Sequence, residues 1–104
     1  LNGIFLKKKI GMKEKKMSNG MKVMKFSATW CQPCKNLSKT LEGISEELKL
    51  PLEEVDIEEQ QDTAMEFGIR SVPTLVKVDE NMQPISTIVG SQSTVEELKE
   101  FFSE

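Results

Sequence analysis

The residues on either side of one cysteine pair constrain the fold of this chain more than any other feature. Residues 21–28 alternate loosely between apolar and polar side chains, which is typical of a central strand. After Cys34, apolar residues recur at helical spacing until Pro51 stops the pattern. These apolar residues are Leu37, Leu41, Ile44 and Leu48. The sequence Cys31-Gln32-Pro33-Cys34 therefore lies at the junction between a strand and a long amphipathic helix.

The rest of the chain continues this alternation of strands and helices. The predicted elements are a strand over residues 54–58, a helix over 62–67, a hairpin of strands 74–78 and 85–89, and a C-terminal helix opened by a capping box at Thr94 to Glu97. Right-handed crossovers make the first two strands parallel neighbours, and the hairpin extends their sheet. We predict an α/β fold of order βαβα-ββα, with a four-stranded mixed sheet and helices on both faces.

Length and charge limit the classes of function. The 104 residues suffice for one domain, and no apolar run is long enough to cross a bilayer. Residues 1–20 carry six lysines and one glutamate, a net charge of +5, whereas residues 21–104 have a net charge of −8. An acidic body repels phosphate backbones. We expect neither a nucleic-acid nor a membrane partner.

Residues 1–20 form a basic leader that precedes the predicted domain of residues 21–104. The leader lacks the apolar stretch and cleavage site of a secretory signal, so we expect a cytoplasmic protein. One hypothesis is a mis-annotated start, because Lys13-Glu14 could be encoded by a ribosome-binding sequence that precedes a true start at Met17. The alternative is a disordered basic tail.

The position of the two cysteines indicates their chemistry. The free N–H groups and positive dipole end of a helix favour an anion, so Cys31 is expected to be the nucleophilic thiolate. Cys34 follows about one turn later and can displace a partner from a mixed disulfide on Cys31, which makes it the resolving thiol. Pro33 costs the helix little so near its start.

Other roles for the cysteine pair are less favourable. The chain has two cysteines and no histidine, whereas a tetrahedral zinc site usually has three or four such ligands. A structural disulfide across so short a loop would remove little chain entropy. Thiol–disulfide exchange is therefore the favoured chemistry. It requires no cofactor or metal beyond the Cys31–Cys34 dithiol.

Two motifs resemble landmarks of the thioredoxin family. Residues 26–35, with Trp-Cys-Gln-Pro-Cys at their centre, resemble the active-site signature of that family, and residues 68–75, with Val-Pro-Thr, resemble its second landmark. Val89-Gly90 is a weaker third match. The three matches span residues 21–102 in the family order. The resemblance implies a thioredoxin-like fold and a protein disulfide reductase.

The resemblance also implies which residues receive a substrate. Pro73 would follow a cis peptide bond and pack beside the cysteines, and Val72 would offer its backbone to an extended substrate segment. Trp30 would flank the dithiol, and Gly90 would let a partner approach closely. The substrate-binding residues implied in this way are Trp30, Gln32, Pro33, Val72, Pro73 and Gly90.

The sequence departs from the family pattern in two respects. Most thioredoxins begin with an additional strand and helix, for which the leader is unsuited. The family also usually has a buried aspartate six residues before the nucleophile, where this chain has Lys25. Glu54 aligns with the lysine that partners this aspartate in many thioredoxins. We expect Lys25 and Glu54 either to form a reversed ion pair that serves proton transfer, or Lys25 to extend to solvent unpaired.

The family resemblance implies a monomeric electron carrier. A thioredoxin reductase or equivalent would reduce it, and it would reduce disulfides in proteins, among them ribonucleotide reductase. Two alternatives remain open from the sequence. One is a glutaredoxin-like or isomerase-like oxidoreductase, and the other is a non-redox binding subunit of a larger assembly.

Overall fold

A computed structural model describes residues 20–103 as one sheet with helices on each side. The strands are β1 (Lys22–Ser27), β2 (Leu52–Asp56), β3 (Thr74–Val78) and β4 (Pro84–Val89). The helices are α1 (Gln32–Gly43), α2 (Gln61–Glu66) and α3 (Val95–Phe101), with a short 3-10 helix at Ser45–Glu47. The hypotheses about the leader and the start at Met17 lie outside the described residues. Within residues 20–103, no helix has the length and apolar character that a bilayer crossing requires.

The sheet has the predicted mixed topology. Its strand order is β2-β1-β3-β4, with β1 parallel to β2 and the other two pairs antiparallel. The parallel register runs from Val23 opposite Leu52 to Ser27 opposite Asp56. The carboxyl ends of β1 and β2 therefore meet at one edge of the sheet, and the cysteine motif follows directly from that edge.

Successive side chains of β1 point to opposite faces of the sheet and contribute to the core on each face. Val23 packs with Leu75 and with apolar residues of α1 and α3 on one face of the sheet. Met24 and Phe26 pack on the opposite face, where Ala64 of α2 covers them. The predicted covering of both faces by helices is thus confirmed. Burial on both faces fixes the strand register, because a slip of one residue would exchange the two sets of side chains.

The boundaries of α1 and β2 differ most from the sequence prediction. Helix α1 ends at Gly43 rather than near Leu48, because Ile44 leaves helical geometry with φ −120° and ψ 16°. Glycine is a poor helix former, and the turn that follows still buries Leu48 in the core. Strand β2 ends at Asp56, whose Oδ1 accepts the Glu58 N–H at 2.8 Å and so begins a turn.

The start of α3 has the predicted capping box, which allows a stability test. Thr94 Oγ1 accepts the Glu97 N–H at 3.1 Å, and a Glu97 carboxylate oxygen accepts the Thr94 N–H at 2.8 Å. We expect Thr94→Ala to lower the free energy of unfolding by about 1 kcal/mol, since it leaves a helix N–H unpaired. Chemical denaturation should detect this loss. Thr94→Ser, which keeps the hydroxyl, should lose much less, and equal losses in both variants would contradict this account.

Candidate active site

The two cysteines lie at the N-terminus of α1 and are joined as a disulfide. Cys31 is the N-cap residue, and its Sγ accepts a hydrogen bond from the Cys34 N–H at 3.1 Å. The two Cα atoms are 5.2 Å apart. Pro33 lies in the first turn, where its missing N–H leaves no helical bond unmade. Both cysteines are almost completely buried in this oxidised state, with 3% and 2% of their surfaces exposed.

This placement favours negative charge on the Cys31 sulfur. In the reduced protein, the free N–H groups and the dipole of α1 would stabilise a thiolate at the N-cap. The first turn of α1, which the structure describes completely, contains no acidic side chain. The positive end of the dipole is therefore not offset by a carboxylate of that turn, which would also repel a thiolate.

The second and third sequence landmarks converge beside this disulfide. Val72 packs against the cluster that Ala28, Cys31 and Cys34 form. The Val72–Pro73 peptide bond is cis, as the family resemblance implies. The Pro73 carbonyl accepts the Gly90 N–H at 2.8 Å, and Gly90 has φ +95°, a conformation that glycine adopts readily. The backbone thus joins these two loops next to the disulfide.

Trp30 stands at the surface beside the disulfide and borders a groove. Its side chain is largely exposed, at 65%, and its Nε1–H donates to Glu58 Oε2 at 2.9 Å. The groove continues from Trp30 toward α2 and encloses about 510 Å³. Its lining includes Trp30, Ile57, Met65, Ile69, Arg70 and Val72. Gln32 is also exposed, and its Nε2 donates to Asn36 Oδ1 at 3.2 Å.

Several residues of this surface were missing from the sequence analysis. Ile57 packs against the cysteine cluster, Glu58 holds the Trp30 indole, and Met65 and Arg70 line the groove. A signal for the first two was present in the sequence. Because β1 and β2 are parallel, the residues that follow them share one edge of the sheet. Met65 and Arg70 carried no comparable signal.

Lys25 and Glu54 form the reversed ion pair, one of the two arrangements expected from the sequence. The Lys25 Nζ lies 3.4 Å from Glu54 Oε1 and 3.5 Å from Oε2. The lysine side chain is 2% exposed, whereas that of Glu54 is 59% exposed. Both residues line a cavity of about 340 Å³ that also reaches Cys34. We refer to this space as the Cys34 cavity.

Fold and site together define a class of protein, the thiol–disulfide oxidoreductases. The reactive disulfide caps a helix, and a cis-proline loop lies beside it. Comparison with known proteins agrees with this class. The thioredoxin family model matches residues 8–104.

Individual thioredoxins are similar to this chain over most of its length. The thioredoxin of Buchnera aphidicola is 44% identical over 81 residues, which cover 76% of this chain and 73% of that protein. The thioredoxin of Bacillus subtilis is 36% identical over 75 residues, which cover 70% of this chain and 71% of that protein. A solved thioredoxin variant from Halobacterium salinarum superposes with a TM-score of 0.72 at 28% identity, covering 88% of this chain and 79% of that one.

The chain belongs to the thioredoxin family. With its Cys31–Cys34 pair it is a thiol–disulfide reductase. This assignment argues against the non-redox binding subunit that the sequence alone left open.

Proposed function

We propose that this protein carries electrons from a reductase to disulfides in other proteins, with Cys31 as the nucleophile and Cys34 as the resolving thiol. One observation carries the proposal. The Cys31 sulfur caps α1 and accepts the Cys34 N–H, so the helix stabilises negative charge on that sulfur rather than on Cys34. The Cys31–Cys34 disulfide is itself the redox group, and the proposed chemistry needs no other cofactor or metal.

The reaction has two exchange steps. The Cys31 thiolate attacks one sulfur of a substrate disulfide, and the other substrate sulfur leaves with the electron pair and takes up a proton. Cys34 then loses its proton and attacks Cys31, so that the Cys31–Cys34 bond forms and the bond from Cys31 to the substrate breaks. The substrate gains two electrons and two protons, and the protein ends as the disulfide. A reductase returns the protein to the dithiol.

We assign substrate binding to the surface around the disulfide. The Val72 backbone pairs with an extended substrate segment, since Val72 packs directly against the cysteine cluster. Trp30, Gln32 and Pro33 are exposed beside it and contact the substrate. A Cβ built on Gly90 meets no atom of the described chain within 4 Å, so the space above it is open to a partner. Pro73 is buried directly beneath this surface, and its carbonyl accepts the Gly90 N–H, so we assign it to shaping the substrate-binding loop.

The Lys25–Glu54 pair is the proposed route for the Cys34 proton. Both side chains line the cavity that reaches Cys34, and Glu54 extends from that cavity to solvent. A proton released by Cys34 can pass to this carboxylate and then to water. The pair thus joins a buried thiol to the surface without opening the core.

The proposed partners follow from family membership. The reductant is a thioredoxin reductase or an equivalent enzyme, and the oxidants are proteins with accessible disulfides, among them ribonucleotide reductase. The protein acts in the cytoplasm, where a dithiol of this kind is kept reduced, and it acts as a monomer.

The test of this proposal is insulin-disulfide reduction with two alternative electron donors. We expect thioredoxin reductase with NADPH to support continuous turnover by this protein, and glutathione to support it far more slowly. Faster turnover with glutathione would refute the reductase assignment. No turnover with either donor, from protein whose dithiol is shown to be reduced, would refute the carrier role.

A substitution at Trp30 should separate substrate docking from thiol reactivity. Trp30→Ala removes the largest exposed apolar side chain at the site, and tryptophans at such positions often contribute more than 1.4 kcal/mol to binding. We expect kcat/KM for insulin to fall by about tenfold or more. The rate at which a small alkylating reagent modifies Cys31 should be unchanged.

Ile85→Ala is the matched control for this measurement. Ile85 is also an exposed apolar residue, at 48%, but it lies on β4 and does not line the groove beside Trp30. We expect this variant to retain the kcat/KM of the unsubstituted protein. Equal losses in both variants would argue against docking at Trp30.

A further inference from the structure

Lys25 is an unusual residue to find in the interior. The residue as a whole is 1% exposed, and among residues 20–103 it is the only charged residue that is fully buried. It lies on the face of β1 that α1 covers, between Val23 and Ser27 in the alternation of that strand. A buried ammonium is costly unless a negative partner compensates it. Its described partner, Glu54, is more than half exposed, so that compensation is weakened by water.

The charges around the Cys34 cavity differ in how strongly solvent screens them. The charged residues that line it are Lys25, Lys35, Glu54, Asp56 and Glu59. Lys35, Glu54 and Glu59 are exposed. Asp56 is partly buried, and its Oδ1 already accepts the N–H groups of Glu58 and Glu59 at 2.8 and 3.4 Å. The Lys25 ammonium is therefore the charge that acts on the interior side of the cavity through the least water.

We propose that the buried Lys25 ammonium stabilises the thiolate of Cys34 in the reduced protein, and so acts as a positioning charge for the resolving step. The inference rests on the proposed function, because it assigns a role within the same dithiol site. It also assigns different roles to the two members of the ion pair. Lys25 favours the ionised sulfur, whereas Glu54 opposes that charge at equilibrium and only relays the proton.

The Lys25 ammonium acts at the resolving step, in which Cys34 attacks Cys31. When Cys34 gives its proton to solvent through the cavity, Lys25 lowers the free energy of the resulting thiolate. That thiolate attacks Cys31 of the mixed disulfide, the Cys31–Cys34 bond forms, and the substrate sulfur leaves with the electron pair and takes up a proton. Lys25 is neither oxidised nor reduced, and none of its covalent bonds forms or breaks.

The test follows only the ionisation of Cys34 and does not depend on a measurement of disulfide reduction. In a Cys31→Ser parent, Cys34 is the only thiol, and its ionisation can be followed by the ultraviolet absorbance of the thiolate as pH is raised. Adding Lys25→Met should raise the pH midpoint by about one unit, because a nearby opposite charge has been removed. Adding Glu54→Gln should lower the midpoint, because a carboxylate that opposes the thiolate has been removed.

Three controls separate the charge of Lys25 from its structural role. Lys25→Arg keeps the charge and should restore the parent midpoint. Lys22→Met also removes a β1 lysine that pairs with a β2 glutamate, Glu53, but Lys22 does not line the cavity, so the midpoint should not move. Lys25→Gln is neutral and can still hydrogen-bond to Glu54, so it can replace Lys25→Met in the titration if that variant does not fold.

Two results would overturn the proposal. One is a midpoint that stays at the parent value or falls when the Lys25 charge is removed, and the other is a midpoint that rises in Glu54→Gln. Neither result affects the proposed function, which depends on insulin reduction by the protein with both cysteines. Conversely, a protein that does not reduce insulin could still show the two opposite shifts.

Discussion

Cys31→Ser is expected to abolish insulin-disulfide reduction, leaving only the rate of the reductant without protein. Serine at this position cannot form a disulfide with the substrate, so the first exchange step is lost. Cys34→Ser is expected to fail differently. Its Cys31 still attacks the substrate, but no thiol resolves the product, and the protein should accumulate as a mixed disulfide. Mass spectrometry after a single addition of reduced protein should detect this adduct only in Cys34→Ser.

The comparison of the two cysteine variants is informative because both should keep the fold. Serine is a favoured N-cap residue, so Cys31→Ser retains a side chain that can accept the Cys34 N–H. Circular dichroism and the unfolding midpoint under reducing conditions should therefore match those of the reduced unsubstituted protein. A mixed disulfide that forms in Cys31→Ser instead would reverse the assignment of nucleophile and resolving thiol. Insulin reduction at the unsubstituted rate in both variants would show that neither cysteine carries the reaction.

Much of this fold could be predicted from local sequence patterns. The alternation in residues 21–28, the helical spacing after Cys34 and the capping box at Thr94 are each determined by neighbouring residues, and the structure confirms these elements. The sheet order follows from the handedness of crossovers and from the hairpin, so it too could be predicted. The position of the cysteine motif could also be predicted, because the motif lies between a predicted strand and a predicted helix.

The features that sequence patterns did not determine depend on contacts between distant segments. The helical spacing places Leu48 on the apolar face of α1, whereas in the structure α1 ends at Gly43 and the turn that follows brings Leu48 into the core shared with α3. The contact of Trp30 with Glu58 joins residues 28 positions apart. The choice between a paired and an unpaired Lys25 depended on its burial, which only the packing of α1 on β1 decides.

Phe26 illustrates how the active site depends on the core beneath it. Its ring is completely buried on β1, five residues before Cys31, and it packs against the Phe67 ring with centroids 5.5 Å apart. It belongs to the core cluster between the sheet and α2. The position of the cysteine motif, which follows β1, therefore depends in part on the contact between Phe26 and Phe67. Domains of this size are stable by only about 5–15 kcal/mol.

Phe26→Ala is accordingly expected to lower the free energy of unfolding by about 3–5 kcal/mol, measured by chemical denaturation of the oxidised protein. The loss combines the buried apolar surface with the cavity that the ring leaves, since neighbouring strands cannot collapse into it. Phe26→Leu retains most of that volume and should lose less than about 1.5 kcal/mol. Val89→Ala, at a position that is 66% exposed, should change stability by no more than about 0.5 kcal/mol. A loss in Phe26→Ala as small as that in Val89→Ala would mean that the sheet and α2 are held together by contacts other than this ring.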